Sequence, residues 1–250
     1  MQKTFFLCVG AQRSGTTWLH QYLSKYPNFN FGFLKEYHIW DSLYITDFKN
    51  NLPDKSNLRY KLLYDVKGYE NYFLSLLSKS VTCTGDFTPS YCGLTSENFH
   101  AIKTRLNNVG FNIKVLFLMR DPFERCWSMA RMDAPSNDAE YLKNFYNNNN
   151  FFLRTNYKNT INNLESVFTS DQIYYGIFEE MFNLVKLKEL SDFCDVPMNW
   201  AYRKKNVNCR PKISTIPNEL KQEVITFYKD TYTYCNHKFP QTKELWSSII

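Results

Sequence analysis

Gly10-Ala11-Gln12-Arg13-Ser14-Gly15-Thr16-Thr17-Trp18 is the stretch whose residue types and spacing imply chemistry most directly. Two glycines separated by four residues close an apolar run and open a helical pattern. That is the arrangement of a loop whose backbone N–H groups and following helix N-terminus cradle a phosphate. Thr16 stands where an NTPase loop carries lysine, and the cation sits instead at Arg13, inside the loop. Loop amides and the helix dipole still hold a phosphate. The lysine that reaches the β- and γ-phosphates of a triphosphate is missing. The loop therefore reads as a nucleotide site turned away from ATP hydrolysis, with Gln12, Arg13, Ser14, Gly15, Thr16, Thr17 and Trp18 as candidate binding residues. The alternative is a strand–helix turn whose glycines serve packing alone.

A second set lies further along the chain. Arg120 leaves an apolar run as Arg120-Asp121-Pro122, and Ser128 follows two helical turns later. A guanidinium gives a two-pronged donor and a serine a single hydroxyl, so together they hold a phosphate from two sides. Alternatively, Arg120 pairs with Asp121 or Glu124 and only trims a helix start. Glu36, one helix beyond the loop, is the candidate general base; its alternative is a solvated carboxylate paired with Lys35. His38 lies among aromatics, where a lone histidine is more often structural. Asp86 follows Ser80–Gly85, at an expected strand end.

These motifs carry a family resemblance. GAQRSGTTW resembles the 5′-phosphosulfate loop of sulfotransferases that use 3′-phosphoadenosine 5′-phosphosulfate (PAPS). The arginine at position 13 is like that of the protein-tyrosine members, where cytosolic members carry lysine. Arg120 and Ser128 match the arginine and serine of the family's 3′-phosphate motif, and Arg-Asp-Pro-x-x-Arg is similar to the heparan sulfotransferases. Lys35-Glu36-Tyr37-His38-Ile39-Trp40-Asp41 resembles the Glu-x-His-Phe-Phe-Asp segment of those enzymes, whose glutamate is the base. Gly85 to Tyr91 resembles their Glu-Lys-Thr-Pro-x-Tyr stretch, with Phe87 in place of the lysine, a departure that weakens heparan-like acceptor recognition.

The resemblance implies PAPS as sulfuryl donor, a sulfate ester and 3′,5′-ADP as products, and no required metal. It gives catalytic roles to Glu36, Arg13 and His38, with Glu36, His38 and Asp86 on the acceptor side. Thr16 and Thr17 would grip the 5′-phosphate, and Trp18 either stacks near adenine or packs in the core. Arg210 and Lys212, from the basic stretch Arg203, Lys204, Lys205, Arg210 and Lys212, are candidates for the 3′-phosphate and adenine.

The elements that must position these groups follow from periodicity. Thr4–Val9 is a continuous apolar run, as expected of a parallel strand buried on both faces. Helix is expected over Thr16–Lys25, a short strand over Asn28–Leu34, helix over Glu70–Lys79, and a strand over Ser80–Gly85. Ser96–Leu106 reads as helix, Asn112–Met119 as a strand, and Pro122 to Arg131 as helix. Asp133 to Asn150 is polar and reads as a surface loop. Phe151–Phe168 reads as helix, Gln172–Phe178 as strand, Glu179–Phe193 as helix, Pro197–Pro217 as irregular, and Asn218–Tyr234 as helix. Alternating strands and helices imply a parallel sheet with right-handed crossovers, whose ligands bind at the carboxyl ends of the strands. The fold class is thus α/β, a P-loop NTPase-like parallel sheet flanked by helices, as a single domain over residues 1–250. The 5′-loop, Glu36, Asp86 and Arg120 all fall at expected strand ends.

Composition sets the remaining bounds. The chain has 250 residues, 44% hydrophobic and 18% aromatic, which suits a packed globule. A net charge of +6 favours an anionic ligand, and dispersed Lys and Arg argue against nucleic acid. Seven cysteines form no C-x-x-C pair. No signal peptide, no apolar run near 18 residues and no N-x-S/T sequon is found, so no membrane span and a reduced, cytoplasmic location are expected. The acceptor is expected to be a small molecule or glycan hydroxyl, of a sugar, other alcohol or phenol. Two other functions fit parts of the pattern: a P-loop kinase or nucleotide hydrolase, and a catalytically silent nucleotide- or glycan-binding protein.

Overall fold

The computed structural model describes residues 2–51, 57–205, 207, 212 and 215–247. Four strands form one parallel sheet: β1 (Lys3–Gly10), β2 (Cys83–Asp86), β3 (Phe111–Met119) and β4 (Ile173–Ile177), in the order β2-β1-β3-β4. β1 pairs with both β2 and β3, aligning Leu7 with Asp86 and with Val115. A register shift between Cys8 and Gly10 turns the end of β1 as it enters the loop.

The apolar runs of β1 and β3 are continuous because each face of the sheet has its own core. On one face lie Phe5, Leu7 and Val9 of β1 with Ile113, Val115 and Phe117 of β3. They pack under the helices α5 (Ser96–Asn108), α6 (Pro122–Asp133) and α9 (Tyr157–Glu165). The opposite face places Phe6 and Cys8 with Leu116 and Leu118. Covering them are Trp18, Leu19, Tyr22 and Leu23 of α1 (Thr16–Leu23) and Leu187 and Leu190 of α10 (Leu184–Phe193). The result is helix, sheet, helix in three layers, the α/β architecture expected.

Several boundaries differ from the sequence expectation. Asn28–Leu34 is not a strand. Phe29 makes an isolated bridge to Cys83, and Gly32, at φ +77°, turns the chain away two residues after Asn30. The alternation of aromatics there reflects Phe29 and Phe31 dipping into the smaller core. Glu36 therefore leaves an irregular segment and not a strand, though Phe87 N–H donates to the Lys35 carbonyl (3.1 Å), docking it beside the end of β2. The stretch expected as helix over Glu70–Lys79 is α4 (Gly68–Ser75). Two helices, α2 (Trp40–Tyr44) and α3 (Leu58–Tyr64), precede it.

The polar stretch 133–150 holds α7 (Asp138–Phe145) and the start of α8 (Asn149–Leu153). Phe151–Phe168 splits because Asn156 caps α9, its side chain accepting from Asn159 N–H. In the same way Asn183 delays α10. The last helix divides at Tyr228 into α11 (Asn218–Phe227) and α12 (Lys229–Lys238), followed by α13 (Thr242–Leu245). Among the described residues no helix is long and apolar enough to cross a membrane.

Candidate active site

The carboxyl ends of β1, β2 and β3 meet at one rim, and the loop at residues 10–15 fills its centre. Gly10 has φ +153°, and a Cβ there would come within 2.9 Å of the Pro89 carbonyl oxygen, so only glycine fits. Gly15, at φ +92°, begins α1 against Phe178 and Met181. Between them Arg13 sits in the left-handed region (φ +69°). A non-glycine residue held in that region is the kind of strain that concentrates at ligand-binding loops.

This rim opens into a cavity of about 840 Å³, within the ~300–1,000 Å³ common for small-molecule sites. Gln12, Arg13, Gly15, Thr16, Thr17 and Trp18 line it from the loop and α1, and Lys35 and Glu36 from the segment before α2. Arg120, Ser128, Arg131 and Met132 line it from the end of β3 and from α6. Phe178 and Phe182 follow β4, and Arg203, Lys205, Val207 and Lys212 close the far side. Seven cationic side chains (Arg13, Lys35, Arg120, Arg131, Arg203, Lys205 and Lys212) thus face one carboxylate, Glu36. Such a cavity concentrates a multiply charged anion.

Its two ends are joined. Arg13 Nε donates to Ser128 Oγ (3.0 Å), and Arg120 Nη1 donates to the Arg13 carbonyl (3.3 Å). Arg120 also pairs with Glu124 (3.1 Å), which in turn pairs with Lys212 (2.6 Å). The helix-start ion pair that sequence alone offered as an alternative is therefore present, alongside the placement of Arg120 in the cavity. Asp121 is not its partner. The Asp121 carboxylate caps α6, accepting from Phe123 and Glu124 N–H, and also from the Tyr232 hydroxyl (2.7 Å).

Glu36 is held by two cations. Lys35 Nζ lies 2.6 Å from Oε1, and His38 Nε2 is 3.4 Å from Oε2. The chain presents these side chains together because Tyr37, between them, is fully buried, its N–H donating to Thr88 Oγ1 (2.9 Å). His38 then turns the backbone at φ +53°. Arg59 of α3 secures the turn by donating to the Tyr37 carbonyl (2.7 Å). Behind the ring, His38 Nδ1 meets Asp41 Oδ2 at 2.7 Å, and Ser90 Oγ donates to the same oxygen.

Burial alone would raise the Glu36 carboxyl, but the His38 hydrogen bond and the Lys35 charge outweigh it and hold the group down at about 2. Burial likewise opposes charging His38, and the bonds to Asp41 and Glu36 outweigh it, raising the ring to about 9. At neutral pH the Glu36 carboxylate thus faces the imidazolium of His38.

Ten of the residues singled out from sequence thus come together on the cavity: Gln12, Arg13, Gly15, Thr16, Thr17, Trp18, Glu36, Arg120, Ser128 and Lys212. Trp18 also packs in the core, stacked on Tyr22 with ring centroids 5.1 Å apart. Ser14 is placed elsewhere. Its side chain is fully buried, and its N–H donates to the Ala11 carbonyl (3.2 Å).

His38 stands behind Glu36 and not on the cavity wall. Asp86 is fully buried and accepts from the hydroxyls of Thr88 (2.6 Å), Tyr91 (2.7 Å) and Tyr69 (3.0 Å). Burial raises it to about 6, against the pull of those hydroxyls. Its lone pairs are committed to holding the β2 end, so no acceptor hydroxyl reaches it. Arg210 lies outside the described residues. Lys35, Arg131, Met132, Phe178 and Phe182 line the cavity without having been singled out; Arg203 and Lys205 belonged to the basic stretch but not to the choice made within it.

A family model described as the sulfotransferase family matches residues 6–200. The chain belongs to the sulfotransferase family. The match spans the loop, the Glu36 segment and the Arg120–Ser128 motif, so all three arms of the cavity are sulfotransferase sequence. Solved structures share the fold. A sulfotransferase from Alicyclobacillus acidocaldarius is similar at a TM-score of 0.61 with 16% identity, covering 96% of each chain. The sulfotransferase domain from the curacin biosynthetic pathway gives 0.55 with 14% identity, over 94% of this chain and 98% of that one. Mouse sulfotransferase SULT7A1, solved complexed with PAP, gives 0.50 with 13% identity, over 98% of this chain and 88% of that one. Among curated protein sequences, none matches this chain.

Proposed function

We propose that this sulfotransferase, acting as one domain over residues 1–250, moves a sulfuryl group from PAPS to an acceptor hydroxyl, releasing a sulfate ester and 3′,5′-ADP. The observation that carries the reading is one cavity lined at once by Arg13, by Arg120 with Ser128, and by Glu36. Two anion-binding ends and a carboxylate on one cavity suit a nucleotide charged at both ends of its ribose. Unsatisfied donors and acceptors support the fit: among the described residues, Arg120 Nε and Gln12 Oε1 are buried without a hydrogen-bond partner. The PAP complex of the mouse relative supports the same donor class.

In this reading Thr16, Thr17 and the loop N–H groups hold the 5′-phosphate, and Arg120 and Ser128 hold the 3′-phosphate, with Lys212 and Arg210 beside it. Arg13, bonded to Ser128, spans the two. Trp18, with its indole on the cavity wall, offers a face to adenine. Glu36 accepts the proton of the acceptor hydroxyl, and His38, fixed by Asp41, keeps its carboxylate aimed. No metal ion has a part in this scheme. The acceptor is a small molecule or glycan, and a cytoplasmic location is part of the proposal.

The test is transfer of radiolabelled sulfate from PAPS to a panel of sugars and phenols, with calorimetric titration of 3',5'-ADP. Binding and labelled ester are expected. Binding without turnover in any arm points to a silent nucleotide-binding protein, and magnesium-dependent ATP turnover to a kinase or hydrolase.

A further inference from the structure

We propose that Lys35 is a catalytic residue of this site, its ammonium bridging the donor loop and the base and carrying the charge on the transferring group. The inference rests on the sulfuryl-transfer reading above. Thr16 follows Gly15 at the position where a triphosphate-binding loop places lysine. In the folded protein Lys35 Nζ lies 3.1 Å from Thr16 Oγ1, so an ammonium reaches that place from a different segment of the chain. The same nitrogen is 2.6 Å from Glu36 Oε1. It therefore stands between the hydroxyl that faces the phosphosulfate and the carboxylate that faces the acceptor.

No other cation takes this position among the described residues. Arg13 leans the other way, its Nε on Ser128 (3.0 Å) and its Nη1 on Met132 Sδ (3.7 Å), both on α6. Arg120 is turned toward Glu124. The end of β2 offers only Asp86 and Phe87, both fully buried.

The acceptor oxygen forms its bond to sulfur as its proton passes to the Glu36 carboxylate. The bond from sulfur to the bridging oxygen breaks, and its electron pair stays on the departing 5′-phosphate. Lys35 donates hydrogen bonds to oxygens that gain charge in this exchange and neither gains nor loses a proton overall. Such a donor acts where charge develops, which is the most effective place for it.

The test compares wild type, Lys35→Met and Lys35→Arg in release of labelled sulfate from PAPS to water and to a panel of sugars and phenols. Titration with 3′,5′-ADP, which lacks the sulfuryl group, and thermal melting accompany each variant. Lys35→Met is expected to lower turnover about 100-fold or more with 3′,5′-ADP affinity changed less than about 3-fold, and Lys35→Arg to recover part of the loss. The acid limb of the turnover profile should move to higher pH in Lys35→Met, because Glu36 loses one of the charges holding it ionised. That shift reports the Lys35–Glu36 contact, while the fall in turnover at little-changed 3′,5′-ADP affinity reports action on the transferring group. Turnover of Lys35→Met within about 3-fold of wild type, or a loss of 3′,5′-ADP affinity as large as the loss of turnover, overturns the role of Lys35 and leaves the PAPS reading intact. Wild-type protein that neither binds 3′,5′-ADP nor releases sulfate overturns both.

Discussion

Arg13 Nε and Ser128 Oγ, 115 positions apart in the chain, are hydrogen-bonded at 3.0 Å. One belongs to the loop after β1 and the other to the second turn of α6, so the two motifs proposed to hold the nucleotide's phosphates form a single unit. Substitutions at the pair should therefore be non-additive. In a double-mutant cycle with Arg13→Ala and Ser128→Ala, the coupling for 3′,5′-ADP binding is expected to exceed about 0.5 kcal/mol. Calorimetric titration of the four proteins measures it, and strict additivity would remove the link between the two ends.

Arg120 gives a sharper discrimination. Replacing it with alanine should weaken 3′,5′-ADP by roughly 10- to 100-fold, the range expected of a charge-assisted hydrogen bond. 5′-AMP, which has no 3′-phosphate, should lose far less. Equal losses for the two nucleotides would take Arg120 out of the 3′ end.

Glu36→Gln keeps the shape of the side chain and removes its basicity. Transfer should fall by about 100- to 10,000-fold, while 3′,5′-ADP still binds. Retained turnover in this variant would move proton acceptance to another group, and with Asp86 buried and saturated, His38 is the nearest.

The pH dependence of stability follows from His38. Its ring, raised from the ordinary 6.5 to about 9, stabilises the fold fully below pH 6.5, and that contribution fades as pH rises through 9. The full difference corresponds to about 3 kcal/mol. With the side chain 26% exposed, screening leaves about 1–2 kcal/mol. At roughly 2–4 °C per kcal/mol for a chain of this length, the melting midpoint should drop by about 2–8 °C between pH 6.5 and 9.5. His38→Gln should flatten that slope, which scanning calorimetry across the range would show.

Much of this architecture is legible from residue order. The apolar runs that became β1 and β3 are long and bounded, and Gly10 and Gly15 mark backbone positions that other residues strain to adopt. What was not legible depends on contacts between distant residues. Asn28–Leu34 alternates like a strand, yet Gly32 and a single bridge at Phe29 end the pairing. Helices α8, α9 and α10 were blurred by asparagine caps at Asn148, Asn156 and Asn183, whose function as stops depends on where the backbone needs an acceptor. In the site, the Arg120–Ser128 pair was visible from helical spacing, whereas Lys35 was hidden because its partner Thr16 lies on another element. Asp86 misled because three hydroxyls claim its oxygens, two of them from Thr88 and Tyr91 in its own motif and one from Tyr69 of α4.

β1 sends Phe5, Leu7 and Val9 into one core and Phe6 and Cys8 into the other, and then becomes the loop that bears Arg13. A strand gripped from above and below cannot slide lengthwise without dismantling both halves of the interior. The loop at its tip, the proposed donor cradle, is accordingly anchored to both halves of the core, and in that reading whatever adjusts to admit an acceptor does so from the segment around Glu36 and from α6 around Arg131. Thermal inactivation should then track global melting, with no lower-temperature loss of nucleotide affinity preceding it.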